Sequence, residues 1–295
     1  MFTSSPAKHV NICTRGLTIL LAVCTGIGSA HVAAQDVLPP EVLVRGKITG
    51  GDTRRPAGSL YQRVWEDHRY FYSRDSLLLL GGSFAIGATM AHSSADVELQ
   101  QWFGTSVRGA TSDDWYEGLH ANKELGNGRY TLPLFATAWL AGTYFESAPI
   151  ASSAGQWGER SLRSVLVGAP PMLLSQRLTG GARPGESSSD ARWQPFNDNN
   201  GVSGHSFMSA LPFINAAKLC ESRWGKAAFY AGSLLGPLSR VNDDAHYSSQ
   251  VALGWSFAFL SATAIDQTER DHARFQIRPW VAESGATGAS VEFRY

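Results

Sequence analysis

Six apolar segments of similar length recur along this chain, and they limit most strongly what it can fold into. Each is between 12 and 15 residues long and is interrupted by Gly, Ser or Thr. Strands seldom reach that length, so the pattern predicts helices. The segments are Leu77–Ala91, Leu132–Phe145, Leu162–Leu174, Phe207–Leu219, Ala227–Leu238 and Val251–Ile265. We therefore expect an all-α protein.

Helices of this length form either the core of a soluble bundle or a set of membrane spans. A span needs about 20 apolar residues, and the mean hydropathy of −0.14 also favours a bundle. Leu77–Ala91 and Val251–Ile265 are apolar on nearly all faces, so membrane association stays an alternative. Charged residues make up 17% of the chain and the net charge is zero, which argues against a nucleic-acid partner.

The N-terminal residues have the pattern of a secretory signal. Lys8 and Arg15 precede the short apolar run Leu17–Ile27, and Val32–Ala34 supplies small residues for cleavage. The pattern predicts a signal peptide over 1–34 and export to the periplasm or to a membrane; a retained anchor is the alternative. An irregular lead-in over 35–72 follows, in which the aromatic and charged stretch Tyr61–Tyr72 begins a surface helix.

The other predicted boundaries are a helical domain over 73–272 and a hairpin or tail over 273–295. Arg274–Ala282 and Ala289–Tyr295 contain alternating stretches and flank the Gly-rich Glu283–Gly288. This pattern predicts a short C-terminal β-hairpin that packs on the helical body.

Three short stretches carry residues suited to chemistry on an anion. The stretches are Gln176-Arg-Leu-Thr-Gly-Gly-Ala-Arg183-Pro184, Asn199-Asn-Gly-Val-Ser203-Gly204-His205-Ser206, and Ser239-Arg240-Val-Asn-Asp-Asp-Ala-His246-Tyr-Ser-Ser-Gln250. Arg183 and Arg240 are permanent cations whose planar forks match tetrahedral oxyanions. Ser203-Gly204 at a helix start directs backbone N–H groups and the positive end of the helix dipole at one point. His205 and His246 are the candidate acid and nucleophile.

In order and spacing these stretches resemble the tripartite signature of the type 2 phosphatidic acid phosphatase and vanadium haloperoxidase superfamily. That signature reads Lys, six residues, Arg-Pro; then Pro-Ser-Gly-His; then Ser-Arg, five residues, His, three residues, Asp. Arg183-Pro184, Ser203–His205, Ser239-Arg240 and His246 match it, within residues 176–250. The resemblance implies an all-α helical bundle of the type found in that superfamily, with the site at helix ends.

Three positions depart from the signature. Gln176 stands at the position of the phosphate-binding Lys, with Arg177 adjacent, and Val202 stands at the position of Pro. Gln250 stands at the position of the Asp that would orient the nucleophilic His246. Its amide oxygen can accept an N–H hydrogen bond but brings no charge.

Asp243 and Asp244 lie in the loop just before His246, so one of them is a candidate for the charge that Gln250 lacks. The simpler interpretation of this acidic pair, and of Asp113-Asp114, is that both are solvated loop ends.

By resemblance, the expected activity is hydrolysis of a phosphate ester without a metal or other cofactor. Arg183, Arg240 and the Ser203-Gly204 backbone would hold the phosphate, His246 would attack phosphorus to form a phosphohistidine, and His205 would protonate the leaving oxygen. The substrate could be a lipid phosphate, an isoprenoid pyrophosphate or a soluble ester.

Two other functions fit the same residues. One is a weakened, phosphate-binding protein on this scaffold, because Gln176 and Gln250 depart from the signature. The other is a vanadate-dependent haloperoxidase, since fold alone does not determine function. The sequence leaves the oligomeric state open.

Overall fold

The computed structural model describes residues 59–109, 113–186, 190–281 and 287–293, and these residues are predominantly helical. The predicted all-α class is therefore right, while the signal segment 1–34 lies outside the described residues. The helices are α1 Leu60–Phe71, α2 Arg74–Ala91, α3 Ala95–Trp102, α4 Asp113–Ala121, α5 Gly128–Tyr144, α6 Pro149–Thr179, α7 Gly204–Leu219, α8 Arg223–Gly232, α9 Leu235–Asn242 and α10 Ser248–Arg274. A π-helical turn, Phe103–Arg108, continues α3, and a 3₁₀ turn, Asn122–Gly126, continues α4.

The core lies between α7 and α10, the two helices most completely enclosed by their neighbours. α10 packs against α1, α2, α6 and α7. Phe207, Leu211 and Ile214 of α7 and Phe257 and Ile265 of α10 are fully buried. Because α7 is apolar on nearly every face, it can occupy the centre of the bundle, and its N-terminus is held in one place by packing on all sides.

Two predicted helix boundaries are wrong. The segment Ala227–Leu238 is divided between α8 and α9, which meet at Ser233-Leu234. A continuous helix would lose the backbone hydrogen bond of Pro237 and force its ring against the preceding turn. In the observed structure Pro237 lies in the first turn of α9, where an N–H would have no partner in the helix. The segment Leu162–Leu174 is only an inner part of the 31-residue α6, which begins at Pro149 and ends at Thr179.

A buried ion-pair network joins α1, α6 and α10. Arg163 is 3% exposed and donates two hydrogen bonds of 2.8 Å to the fully buried Asp67. It also pairs with Glu269, to which Arg63 donates at 3.2 Å. Burial alone would lower the pKa of Arg163, but the hydrogen bonds and charges of Asp67 and Glu269 outweigh it, so the pKa is raised. The network fixes how the three helices pack.

The chain ends in two antiparallel strands where the sequence predicts a hairpin. β1, Phe275–Val281, pairs with β2, Thr287–Phe293, from Phe275 opposite Phe293 to Val281 opposite Thr287. The connection between them lies outside the described residues.

Among the described residues, no single helix is both long and apolar enough to cross a membrane. Arg74–Ala91 and Ala95–Arg108 meet that requirement only as a pair, which is bent by 77°.

Candidate active site

The fold brings the three predicted stretches together at the ends of four helices. Arg183 follows α6, Ser203 precedes α7, and His246 lies between α9 and α10. Gln250 connects the stretches directly, since its backbone carbonyl accepts from Ser203 N–H at 2.9 Å and its Nε2 donates to the Ala182 carbonyl at 3.0 Å. The residues of the three stretches therefore form one site.

The first stretch leaves α6 through a turn that requires glycine. Gly180 and Gly181 have φ of 62° and 116°, values that side-chain-bearing residues rarely adopt. A Cβ on Gly180 would lie 1.9 Å from the Gln194 carbonyl oxygen. This close turn ends α6 and carries the chain to Arg183.

The N-terminus of α7 forms the backbone part of the site. Ser203 is fully buried and its Oγ accepts from Ser206 N–H at 3.2 Å, which is the usual cap of a helix start. The first N–H groups of a helix have no carbonyl partner within it, so Gly204 and His205 present theirs toward the open end. The Val202 carbonyl accepts a hydrogen bond from Gln176 Nε2 at 2.8 Å. The resulting arrangement suits an anion.

His246 is buried, and its ring is held by Gln250. Its exposed fraction is 6%, and its Nδ1 lies 3.0 Å from Gln250 Oε1. The same oxygen accepts from Tyr247 N–H at 3.1 Å. Because a backbone N–H points at that oxygen and Nε2 of the amide points at the Ala182 carbonyl, the amide has one orientation. His246 Nδ1 must therefore carry the proton, which leaves the lone pair on Nε2.

The surroundings keep His246 neutral. Burial lowers the pKa of His246 to about 3, the hydrogen bond to Gln250 opposes this, and the charges of Arg183 and Arg240 add to the lowering. A neutral imidazole with its lone pair on Nε2 is the form that can act as a nucleophile.

His205 lies at the exposed edge of the site, in the first turn of α7. Partial desolvation, then the charges of Arg240 and Arg183, lower its pKa, while Glu124 raises it. The 3₁₀ turn Asn122–Gly126 packs directly on its backbone: a Cβ on Gly126 would lie 2.6 Å from the His205 carbonyl oxygen. Bound anionic charge would oppose the effect of the arginines and raise the pKa of His205.

Arg183 reaches the surface, and a buried side chain, Asn200, orients its guanidinium group. Its side chain is 46% exposed, and its Nε donates to Asn200 Oδ1 at 2.9 Å. Asn200 is buried and is itself held by Asp198 Oδ1 at 2.8 Å. The guanidinium therefore keeps its terminal Nη donors for a ligand.

Arg240 is the more enclosed cation. Its side chain is 14% exposed and Nη1 lies 3.4 Å from Asp243 Oδ2. Its Nε is buried and has no hydrogen-bond partner within the described part of the chain. Burial lowers the pKa of Arg240, Asp243 opposes this and Arg183 adds to it. Two guanidinium groups that disfavour each other's charge would both be stabilised by an anion between them.

The two supporting positions next to each other on α6 differ. Gln176 is half-buried and donates to the Val202 carbonyl, so it holds the turn before α7 and supplies no charge. Arg177 is exposed. Successive helix residues point about 100° apart, so Arg177 does not share the direction of Gln176 and is no substitute for a cation at that position.

Neither acidic residue before His246 supplies the charge that Gln250 lacks. Asp243 pairs with His120 Nδ1 at 3.0 Å and with Arg240. Asp244 accepts from Arg108 Nη1 and Gln100 Nε2, both at 2.6 Å. The prediction that this pair is a solvated loop end is wrong for Asp243, whose side chain is 9% exposed. The side chains of Asp113 and Asp114 lie outside the described set.

Sequence reasoning missed Asn200, His120 and Lys123. Asn200 lies within the second stretch, three residues before Ser203, and a polar residue so close to a predicted anion site was a usable signal. His120 and Lys123 come from a polar segment about 80 residues earlier in the chain, and nothing local marks them as part of a site.

The site contains no metal-like cluster, since no group of three or more His, Cys, Asp or Glu side chains in the described ranges is arranged to hold a metal ion. Comparisons of the chain with protein-family models, with curated proteins and with solved structures give no match. The function must therefore be inferred from the residues and geometry of this site.

Proposed function

We propose that this chain is an exported phosphatase of the type 2 phosphatidic acid phosphatase superfamily that hydrolyses a phosphate ester through a phosphohistidine at His246. The observation that carries the proposal is the orientation of His246 by Gln250, next to two arginines and a helix N-terminus. The export rests on the N-terminal sequence alone.

In the proposed reaction the phosphoryl group binds Arg183, Arg240 and the N–H groups at the start of α7. The lone pair of His246 Nε2 attacks phosphorus, the P–O ester bond breaks, and His205 gives its proton to the leaving oxygen. Water, deprotonated by His205, then attacks phosphorus, the P–N bond breaks, and phosphate leaves. The two guanidinium groups and the backbone amides stabilise the charge on the equatorial oxygens.

In this site the Gln250 amide supports the reaction better than an amide that replaces a catalytic aspartate generally does. In the serine-protease template, replacing the Asp with its amide costs about 10⁴ in rate because the histidine takes the wrong tautomer. Here Tyr247 N–H and the Ala182 carbonyl hold the amide with its oxygen toward His246. The tautomer is therefore the productive one, and only the charge of a carboxylate is missing.

Apolar side chains near the site favour a lipid phosphate among the three substrate classes. Leu173, Leu174 and Leu178 are more than 45% exposed and lie in the last two turns of α6, the helix whose end leads into the site. Exposed leucines on that helix suit a molecule with a phosphate at one end and acyl or prenyl chains at the other.

The test is hydrolysis of para-nitrophenyl phosphate and of a lipid phosphate in detergent micelles by the purified mature chain. We expect phosphate release that is lost in His246→Ala and preserved in the control His92→Ala, which changes an exposed histidine on another helix end. Release that survives His246→Ala would refute the assignment. A preference for the lipid phosphate that disappears in Leu174→Ser would support the lipid class.

A phosphate-binding protein without turnover is the second candidate, because Gln250 provides no negative charge for the imidazolium that forms. Its signature would be binding of phosphate or vanadate by the folded wild-type chain with no hydrolysis of either substrate. Binding lost in Arg240→Met would place that anion at this site.

A further inference from the structure

One segment from outside the three stretches, α3 with its π-helical turn, binds the chain on both sides of His246. After His246, in the first turn of α10, Ser249 donates two hydrogen bonds to Asp96, one from its backbone N–H at 3.0 Å and one from its hydroxyl group. Before His246, Arg108 Nη1 donates to Asp244 Oδ2 at 2.6 Å. The chain that carries His246 is therefore held at one point on each side of it.

Asp96 is a fully buried carboxylate that the proposed reaction does not use. Burial raises the pKa of Asp96, and the two hydrogen bonds from Ser249 oppose this. A buried carboxylate costs free energy unless such bonds compensate, and the start of α10 supplies them, because the first N–H groups of a helix have no carbonyl partner within it. Asp96 thus caps α10 from another helix. The capped turn carries Gln250, whose amide orients His246.

Asp244 is the residue at which two loops of the site meet. Its φ of 52° is left-handed, a conformation that aspartate adopts more readily than most residues do. The Asp244 carbonyl accepts from Gly185 N–H at 3.1 Å, which connects the loop that carries Arg183 to the loop that carries His246. Arg108 holds the carboxylate of the same residue. The α3 segment therefore fixes this meeting point as well as the start of α10.

An apolar contact joins the same segment to the two helices that flank His246. Phe103, the first residue of the π-helical turn, is buried against Val241 of α9 and Val251 of α10. π-helical turns are rare and occur often at functional sites. This one continues α3 as far as Arg108, so its residues contact both α9 and the loop that follows it.

We propose that α3 and its π-helical turn position His246 by holding the chain on both sides of it, with Asp96 and Arg108 as the positioning residues. Neither residue contacts the phosphoryl group in the proposed reaction, since Asp96 acts through Ser249 and Arg108 acts through Asp244. The inference rests on the proposed function for what His246 does.

The experiment compares two quantities in folded variants: kcat for para-nitrophenyl phosphate, and the dissociation constant of orthophosphate by calorimetry. Asp96→Ala removes both bonds to Ser249. We expect kcat to fall about tenfold to 100-fold, because a misplacement of about 1 Å can cost about 10² in rate, while the dissociation constant changes less than about threefold.

Asp96→Asn is the conservative rescue. The oxygen of the asparagine can accept from Ser249 N–H and its amide can donate to the Ser249 hydroxyl, so kcat should stay within about threefold of wild type. Glu98→Ala removes an exposed carboxylate from the same helix and should change neither quantity.

Arg108→Met tests the contact on the other side of His246. It removes the donors to Asp244 and to the Asn242 carbonyl, and we expect kcat to fall about tenfold with little change in orthophosphate binding. Arg129→Met, which changes an exposed arginine on α5, controls for the loss of one positive charge. The Arg108 side chain is 30% exposed, so this variant decides the matter if Asp96→Ala does not fold.

A second readout does not depend on activity. The Nδ1–H proton of His246 is buried and bonded to Gln250, so it should give a sharp downfield ¹H signal that is absent from His246→Ala. We expect the signal to broaden or vanish in Asp96→Ala and Arg108→Met, and to remain in Asp96→Asn and in both controls.

The outcomes separate this inference from the proposed function. An unchanged kcat with an unchanged signal in either variant would refute the role of that residue. Loss of orthophosphate binding in proportion to kcat would refute positioning of His246, because the whole site would then depend on the contact. A wild-type chain that releases no phosphate, but whose His246 signal responds to both variants, would refute the proposed function and support the positioning by α3.

Discussion

Gln250→Met tests most directly what the hydrogen bonds of the Gln250 side chain contribute. Methionine has a similar volume and is unbranched, so it fills the same buried space but makes no comparable hydrogen bonds. The change removes the hydrogen bond that Gln250 makes to each of three groups: His246 Nδ1–H, Tyr247 N–H and the Ala182 carbonyl. All three face a side chain that is fully buried.

The expected loss of stability follows from those three groups. A buried polar group left unsatisfied costs about 1–3 kcal/mol, and the gain from burying the methionine offsets roughly 1–2 kcal/mol. We expect the free energy of unfolding to fall by about 3 kcal/mol. In a protein of this size that lowers Tm by about 6–12 °C. Thermal unfolding followed by circular dichroism measures it, with the exposed Gln62→Met on α1 as the control, expected within about 0.5 kcal/mol of wild type.

The same variant tests the tautomer argument. Without Gln250 Oε1, nothing holds the proton of His246 on Nδ1, and we expect kcat to fall by about 100-fold or more below the melting temperature. Gln250→Glu keeps an oxygen that accepts from His246 Nδ1, although it loses the donor to the Ala182 carbonyl, and should retain at least tenfold more activity than Gln250→Met. A folded Gln250→Met protein with wild-type kcat would refute the role assigned to Gln250, as would wild-type stability.

Three further predictions concern the rest of the site and the core. Because bound phosphate raises the lowered pKa of His205, binding should take up protons and weaken as pH rises; calorimetry in buffers of different ionisation enthalpy would show no buffer dependence if this is wrong. Asn200→Ala frees Arg183 Nε and should raise KM about threefold to tenfold with a smaller change in kcat, whereas an effect on kcat alone would contradict its positioning role. Burial alone would raise the pKa of Glu269, but the charge and hydrogen bond of Arg163 outweigh it and lower that pKa. The ion pair therefore stabilises the fold above the usual glutamate pKa, and this stabilisation is lost as pH falls through the lowered pKa of the folded state. Arg163→Met should cost about 3–5 kcal/mol at pH 7 and flatten the acid dependence of stability measured by urea unfolding.

The sequence predicts the site better than it predicts the details that decide its chemistry. The sequence itself displays the spacing of Arg183, His205, Arg240 and His246. Local signals, such as the Ser203 cap, mark the helix ends. These features depend on near neighbours in sequence, so they are readable from it.

The orientation of the Gln250 amide could not be predicted in this way. It depends on the carbonyl of Ala182, which is 68 residues distant in sequence and comes close only in the folded bundle. The same holds for His120, whose contact with Asp243 spans 123 residues. The break between α8 and α9 has a local signal in Pro237, but that signal alone does not predict a break, since Pro133, Pro170, Pro171 and Pro212 lie inside continuous helices.

The most direct test of the central claim is to trap the covalent intermediate. The wild-type chain would be mixed with a ³²P-labelled phosphate ester, quenched in alkaline denaturant within milliseconds, and digested to locate the label. We predict an acid-labile, alkali-stable phosphoramidate on the peptide that contains His246, and none in His246→Ala. Hydrolysis of the ester with no label on His246, or with label on another residue, would contradict the account.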